Sequence, residues 1–302
     1  MILANLKNEY LRENTLIKRL SSRTISFQKR ILNKYLPLAL HSEKVSAAII
    51  KQIIGSIKKK AYSPATIRSR YAILMAFLNY CYQNKHISVD PYLIVKKVKK
   101  YRAHKIPLKR DELNRLLVAK VSYRYRRDFQ YYRNKTILGL LIYAGLRASE
   151  IIDLRREDIS IENKYLKVPA SKRSHGRLLP LNEQIVLWMT EYLKARKKLR
   201  SPYFFLGLFD KTKLDRMTVT EIVKKHGRAA GIKRTVYAHL IRHSFASQML
   251  KGGVKLENLQ TIMGHRNIEM TAMYAKPDGE MINKALLSNP LIKILGGKKR
   301  CE

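Results

Sequence analysis

The chain has 302 residues, of which 46% are hydrophobic, enough for packed cores and against wholesale disorder. Its 62 Lys and Arg face 22 Asp and Glu, a formal net charge of +40. So large an unbalanced charge repels itself, and a polyanion is the expected partner, nucleic acid ahead of an anionic membrane surface.

No apolar run approaches the ~20 residues of a membrane span, and no signal-peptide pattern opens the chain. The 2 cysteines, Cys81 and Cys301, make neither a disulfide framework nor a zinc site. A cytoplasmic, reducing setting with no membrane partner is therefore expected.

Residues 1–98 read as helical, with apolar residues at helical spacing and no alternating pattern. Helices are expected around Ser22–Leu40 and Ser46–Lys60. A third opens with Ser63 as N-cap and Pro64 at the first helical position. Its apolar side is Ile67, Tyr71, Leu74, Phe77, Leu78 and Cys81, and Arg68 and Arg70 lie off that stripe. Asp90-Pro91 is read as the end of this bundle. Next comes KKVKKYRAHKIPLK (96–109), dense in Lys and Arg, with the linker itself placed at 99–109. It reads either as a solvated tether or as a strap along phosphates, and the second is favoured.

A second domain is expected over 110–282. Asp111–Val118 opens it as a helix with Leu113, Leu116 and Leu117 inward. In SYRYRRDFQYYR (122–133) aromatic and basic residues alternate, which suits base stacking but more often means tyrosines packed with wet hydroxyls. Thr136–Tyr143 is a buried helix that Gly145 breaks. From Glu157 to Leu181 the period changes: Ile159, Ile161, Tyr165, Leu166 and Val168 suggest strands, and Arg177–Leu181 closes a hairpin over the turn 170–176. Gln184–Lys198 and Val219–Ala230 return to helix, with Trp188 at a core or edge and an aromatic-rich loop at Ser201–Phe209. Residues 283–302 form a tail whose PLIKIL is apolar.

The densest chemistry lies in 239–274, HLIRHSFASQMLKGGVKLENLQTIMGHRNIEMTAMY. His239 and Arg242 are three apart and share a helix face. Gly252-Gly253 ends that helix. A short helix carries Leu256, Leu259, Ile262 and Met263 and ends at Gly264. Asn267 can cap a third helix bearing Met270, Met273 and Tyr274.

These residues resemble the tyrosine recombinases, or phage integrases, in their Xer-like form. The resemblance rests on H-L-I-R-H-S-F-A, on M-G-H-R-N-I-E-M-T-A-M-Y with nine residues from His265 to Tyr274, and on Ala144-Gly145-Leu146-Arg147-Ala148-Ser149-Glu150-Ile151. The resemblance implies a mainly α fold with a small antiparallel β-sheet: an N-terminal helical core-binding domain (SAM-like) and a C-terminal catalytic domain, closing as a C-shaped clamp on duplex DNA. It implies Tyr274 as nucleophile, Arg147 and Arg242 clamping the phosphate oxygens, His265 donating to the same phosphate, and His239 as general base or acid. Lys172 would protonate the leaving 5′-oxygen. There this chain departs from the family pattern, with Ser171 and Arg173 where glycines are common, and Lys167 and Arg173 compete. Glu150 would support the site from behind, and His243 would pack rather than react.

The implied reaction is site-specific recombination through a 3′-phosphotyrosyl intermediate and a Holliday junction, by a tetramer on two inverted-repeat DNA sites, with no cofactor and no metal. The tail would either pack in cis on its own domain or dock on a neighbouring protomer, and the second is favoured. A non-catalytic DNA-binding protein and a type IB topoisomerase are the other classes left open.

Overall fold

The computed structural model describes residues 2–36, 46–58, 61–95, 106–171, 175–196, 201–208, 213–264 and 286–289. The chain divides into two compact units, Met1–His104 and Lys105–Glu302. Most of the expected linker, up to residue 105, lies outside the described residues.

The first unit is helical throughout its described residues. Its elements are α1 (Ile2–Leu16), α2 (Ser22–Tyr35), α3 (Ala47–Lys58), α4 (Pro64–Gln83) and α5 (Pro91–Ile94). Ser21 and Ser63 cap α2 and α4, each side chain accepting from the backbone N–H three residues on, which satisfies one orphan donor of the first turn. The apolar stripes meet in one core, with Leu32, Ile50, Ile53, Leu74, Phe77, Leu78 and Cys81 fully buried. Burial pushes the Cys81 thiol up to about 12, so it packs as an inert small hydrophobe. The expected helix to Leu40 ends at Tyr35, and residues 37–45 lie outside the described set. Asp90-Pro91 does not end the bundle. Asp90 accepts from the Tyr92 N–H at 2.8 Å and caps the short helix α5, because proline stops a helix behind it but suits the first position of the next.

The second unit has α6 (Arg110–Val118), α7 (Arg127–Tyr143), α8 (Ala148–Asp153), a 3₁₀ turn at Arg156–Asp158, and strands β1 (Ile159–Ser160), β2 (Tyr165–Val168) and β3 (Arg177–Pro180). It continues with α9 (Glu183–Arg196), α10 (Arg216–Ala229), α11 (Ala238–Lys251) and α12 (Leu256–Met263). The sheet is antiparallel in the order β1-β2-β3, with Leu166 opposite Leu179 and Val168 opposite Arg177. Ile161, expected in a strand, falls in the turn between β1 and β2, because a two-residue β1 leaves 161–164 to reverse the chain. Helix α7 is the central rod: Ile137–Tyr143 is buried between α9 and α11. A Cβ on Gly139 would come 3.1 Å from the Trp188 ring, so glycine lets α7 and α9 approach, and Trp188 sits at the core's edge.

The aromatic–basic stretch 122–133 splits in two. Phe129 is buried, whereas the Tyr123 hydroxyl meets His226 Nε2 at 3.2 Å and accepts from Asn134 at 3.3 Å. Burial takes His226 down to about 4, leaving it neutral. These side chains hold the start of α7 to α10. Residues 106–109 are pinned to the same unit. Leu108 N–H donates to Ser244 Oγ at 2.7 Å, and Arg234 donates to the carbonyls of Ile106 and Pro107.

Candidate active site

Four separated segments converge at the N-terminus of α8. Arg147 precedes that helix, and the Glu150 carboxylate folds back to accept from the Arg147 backbone N–H at 2.9 Å and from Arg147 Nη1 at 2.8 Å. A carboxylate in a helix's first turn is favoured by the unpaired N–H groups and the dipole there. The same carboxylate takes a two-pronged bond from β3. Arg177 Nη1 reaches Oε1 at 3.1 Å, and Nη2 reaches Oε2 at 2.9 Å. Arg242 Nη1 from α11 stands 3.9 Å from Oε2.

The Arg242 guanidinium is fixed by backbone. Nη1 donates to the Gly145 carbonyl at 2.5 Å, and Nη2 donates to the Met263 carbonyl at 2.7 Å. Arg147 Nη1 also approaches that Met263 oxygen, at 3.4 Å. One carboxylate against three guanidinium groups leaves the cluster positive by two. Burial alone would raise the Glu150 carboxyl. The hydrogen bonds and charge of Arg177, then the bonds from Arg147, outweigh it and bring Glu150 down to about 2. Burial first, then the Arg147 cation, lowers Arg242 to about 9, against the opposing pull of Glu150. It remains a cation at neutral pH.

Access differs among the three arginines. The side chains of Arg177 and Arg242 are each 3% exposed and that of Arg147 is 26% exposed. Two cations therefore form a floor, and Arg147 opens to solvent. An arginine fork with fixed direction and no water to displace suits the paired oxygens of a phosphate.

Two glycines make the convergence sterically possible. Gly145 has φ +60°, and a Cβ there would lie 2.3 Å from Phe245 Cδ1 on α11. Gly264 ends α12 in the left-handed region at φ +63° and lies against Arg177, where a Cβ would sit 2.7 Å from Nη1 and 3.2 Å from the His175 carbonyl. The Gly145→Ala variant is expected to lose about 1–2 kcal/mol for the backbone and about 1–3 kcal/mol for the clash. That should lower the melting temperature of this unit by about 5–15 °C in calorimetry. A drop within 1 °C of zero, on the order of measurement error, would show that the backbone relaxes without strain.

The sequence-derived site residues fall in three groups. Arg147 and Arg242 come together. His239 lies one turn before Arg242 on α11 and is exposed where Arg242 is buried. Lys172, His265 and Tyr274, like the competitor Arg173, lie outside the described residues. Lys167 is exposed on β2, and His243 is also exposed. The residue that sequence reasoning missed is Arg177, read there only as the start of the strand that closes the hairpin. Its one signal was a lone basic residue ahead of the apolar Leu178-Leu179-Pro180-Leu181. Among the described residues no three His, Cys, Asp or Glu side chains gather as metal ligands, and no helix is long and apolar enough to cross a membrane.

Residues 107–281 match the phage integrase family. The tyrosine recombinase XerD of Staphylococcus aureus (strain Mu50) is 28% identical over 286 residues, covering 91% of this chain and 95% of that protein. The fold is similar to that of the Tn1549 transposon integrase in complex with transposon right end DNA (TM-score 0.67, 22% identity, 92% of this chain and 96% of that one). It is also similar to a lambda integrase tetramer bound to a Holliday junction (TM-score 0.67, 16% identity, 89% of this chain and 78% of that one).

Proposed function

Because the chain belongs to the phage integrase family, and is thus a tyrosine recombinase that acts on DNA at specific sites, we propose that it cleaves and rejoins DNA strands through a 3′-phosphotyrosyl intermediate. The observation that carries this reading is the arginine cluster: three guanidinium groups on one buried carboxylate, positive by two, with Arg147 open to solvent.

The scissile phosphate binds with its non-bridging oxygens on Arg147 and Arg242. His265, next after Gly264, adds a hydrogen bond to the same phosphate. The Tyr274 oxygen attacks phosphorus, and His239 takes the phenolic proton. A new O–P bond forms on tyrosine as the bond to the 5′-oxygen breaks, and Lys172 supplies the proton that makes the leaving group a 5′-hydroxyl. The ester conserves the bond energy, so a 5′-hydroxyl from a second duplex can reverse the step without a nucleotide or metal cofactor. Preorganised cations in a site shielded from water stabilise the added charge of the transition state.

In this reading the first unit is a core-binding DNA domain at 1–98, residues 99–109 are a basic linker, and the catalytic domain runs over 110–282. A tetramer joins two inverted-repeat sites through a Holliday junction, as the junction-bound lambda integrase tetramer suggests by fold alone. The tail 283–302 docks on a neighbouring protomer, and the protein works at the nucleoid. The test is a plasmid carrying two copies of an inverted repeat found beside the gene. Deletion or inversion between the copies is expected. Relaxation of any supercoiled plasmid, with no exchange and no site preference, would replace this reading with a type IB topoisomerase.

A further inference from the structure

Four described arginines of the second unit are buried, and they differ in how their guanidinium groups are used. Arg177 gives both Nη groups to Glu150. Arg242 gives them to the Gly145 and Met263 carbonyls, and Arg196 to those of Ser201, Tyr203 and Phe204. Arg133 on α7 is 2% exposed, and it donates from Nε to Asn134 Oδ1 at 3.1 Å and from Nη1 to the Leu206 carbonyl at 2.8 Å. Among the described residues its Nη2 has no hydrogen-bond partner, and no carboxylate stands within ion-pair distance of it. Arg133 also lines a cavity of about 820 Å³ bounded by the start of α7, residues 207–208 and α10. That is room for a small molecule.

We propose that this cavity binds the phosphate or carboxylate group of a small molecule, with Arg133 as its anchor. A buried charge is costly unless a counter-charge or a full set of hydrogen bonds offsets it, and Arg133 has neither. Burial lowers its pKa, and the groups that raise it are the Tyr192 and Tyr123 phenols rather than a carboxylate. It stays a cation, because arginine starts far above neutrality. A guanidinium already fixed by two bonds can offer its remaining N–H groups to an oxygen at little entropic cost. The lining adds to the attraction. Lys213, Lys225 and Arg228 bring the cations to four, against the two carboxylates of Asp215 and Glu221. Both acids are held elsewhere, Asp215 by the Thr218 N–H and Glu221 by Lys224. Lys213 is paired with Asp153, and Lys225 donates to the Ser122 carbonyl. Arg228 is exposed and has no carboxylate within ion-pair distance among the described residues. Neutral His226, whose ring nitrogens meet the Ile222 carbonyl and the Tyr123 hydroxyl, gives the cavity a polar wall without charge. A brace between α7 and Leu206 alone would need only Nη1, and it would spend Nη2 on a carbonyl as Arg196 does. No residue of the arginine cluster at Glu150 lines this cavity, so the two sites can be separated by mutation.

The test titrates the full chain, free of DNA, with inorganic phosphate and with succinate at constant ionic strength, and follows binding by calorimetry. The chain carries Arg147→Gln, which removes the solvent-open cation of the catalytic cluster, where phosphate is expected to bind too. One saturable site should remain. Arg133→Lys on that background keeps the charge but loses the fork, and is expected to weaken binding about ten- to hundredfold. Arg228→Gln should weaken it about two- to fivefold. Binding of one probe and not the other supports the site and tells phosphate from carboxylate. The absence of a saturable site for either probe overturns the proposal, and so does an Arg133→Lys chain that binds as tightly as its background. Displacement of the probe by a saturating DNA duplex also overturns it, since the cavity would then belong to the DNA surface. Should Arg133→Lys melt well below its background, Arg228→Gln decides, and an unchanged affinity there overturns the site.

Discussion

Replacing Arg242 by glutamine is expected to slow single-turnover strand cleavage by about 10²–10³-fold while leaving duplex affinity within about threefold of the parent. The expectation comes from where the guanidinium sits. It is 3% exposed and held from two directions by the Gly145 and Met263 carbonyls. It cannot follow a ligand, so its value is greatest for the geometry in which charge develops on the phosphate. Ground-state DNA binding draws instead on many exposed cations along the chain, and the loss of one changes little. Arg242→Lys is expected to recover only part of the rate, since an ammonium keeps the charge but cannot serve two carbonyls and a phosphate in one plane. A cleavage rate within threefold of the parent, on the order of one lost weak contact, would remove Arg242 from the chemistry.

The second large effect belongs to Arg177. Arg177→Met removes the two-pronged partner of a carboxylate that is 8% exposed. Leaving such a charge underpaired costs about 3–5 kcal/mol. Glu150→Gln on the parent background leaves three cations without their shared anion and should also destabilise. The double variant Glu150→Gln/Arg177→Met is expected to be more stable than the sum of the two losses, with a coupling of about 1–3 kcal/mol measured by denaturant unfolding. Its cleavage should stay slow, because Arg147 has lost its anchor. Strict additivity would mean that the pair is not a unit.

The acid limb of the stability curve reports on the same carboxylate. Glu150 falls from 4.5 to about 2 in the folded chain. Its contribution, roughly 3 kcal/mol, is complete above about pH 4.5 and is lost as pH falls toward 2. Glu150→Gln should flatten that part of the curve.

Much of the fold could be read from local pattern. Ser63-Pro64 marks the start of α4, and the apolar run before Gly145 marks α7. The change of period at 159–181 marks the hairpin. All three are set by interactions within a few residues. Arg147 and Arg242 were placed through their motifs, and the structure brings both onto one carboxylate.

What could not be read depends on partners distant in sequence. Arg177 looks like an ordinary strand terminus until Glu150, 27 residues away, is folded against it. Arg133 and Lys135 interrupt the apolar pattern of α7, yet both are buried. They donate to the carbonyls of Leu206, in the loop after α9, and Leu117, on α6, which no periodicity encodes. Asp90-Pro91 carries the opposite ambiguity. The same dipeptide can close one helix or open the next; α4 has already ended at Gln83, and the Tyr92 N–H bonded to Asp90 marks the opening of α5.

The central claim, that a tyrosine near the C-terminus becomes esterified to DNA, is tested most directly by a nicked suicide duplex that prevents religation. The parent chain is expected to accumulate a covalent protein–DNA band under denaturing electrophoresis. Peptide mapping should place the nucleotide on Tyr274, and Tyr274→Phe should lose the band while still shifting the duplex under native conditions. A band that persists in Tyr274→Phe, or a nucleotide mapped to another side chain, would contradict the account.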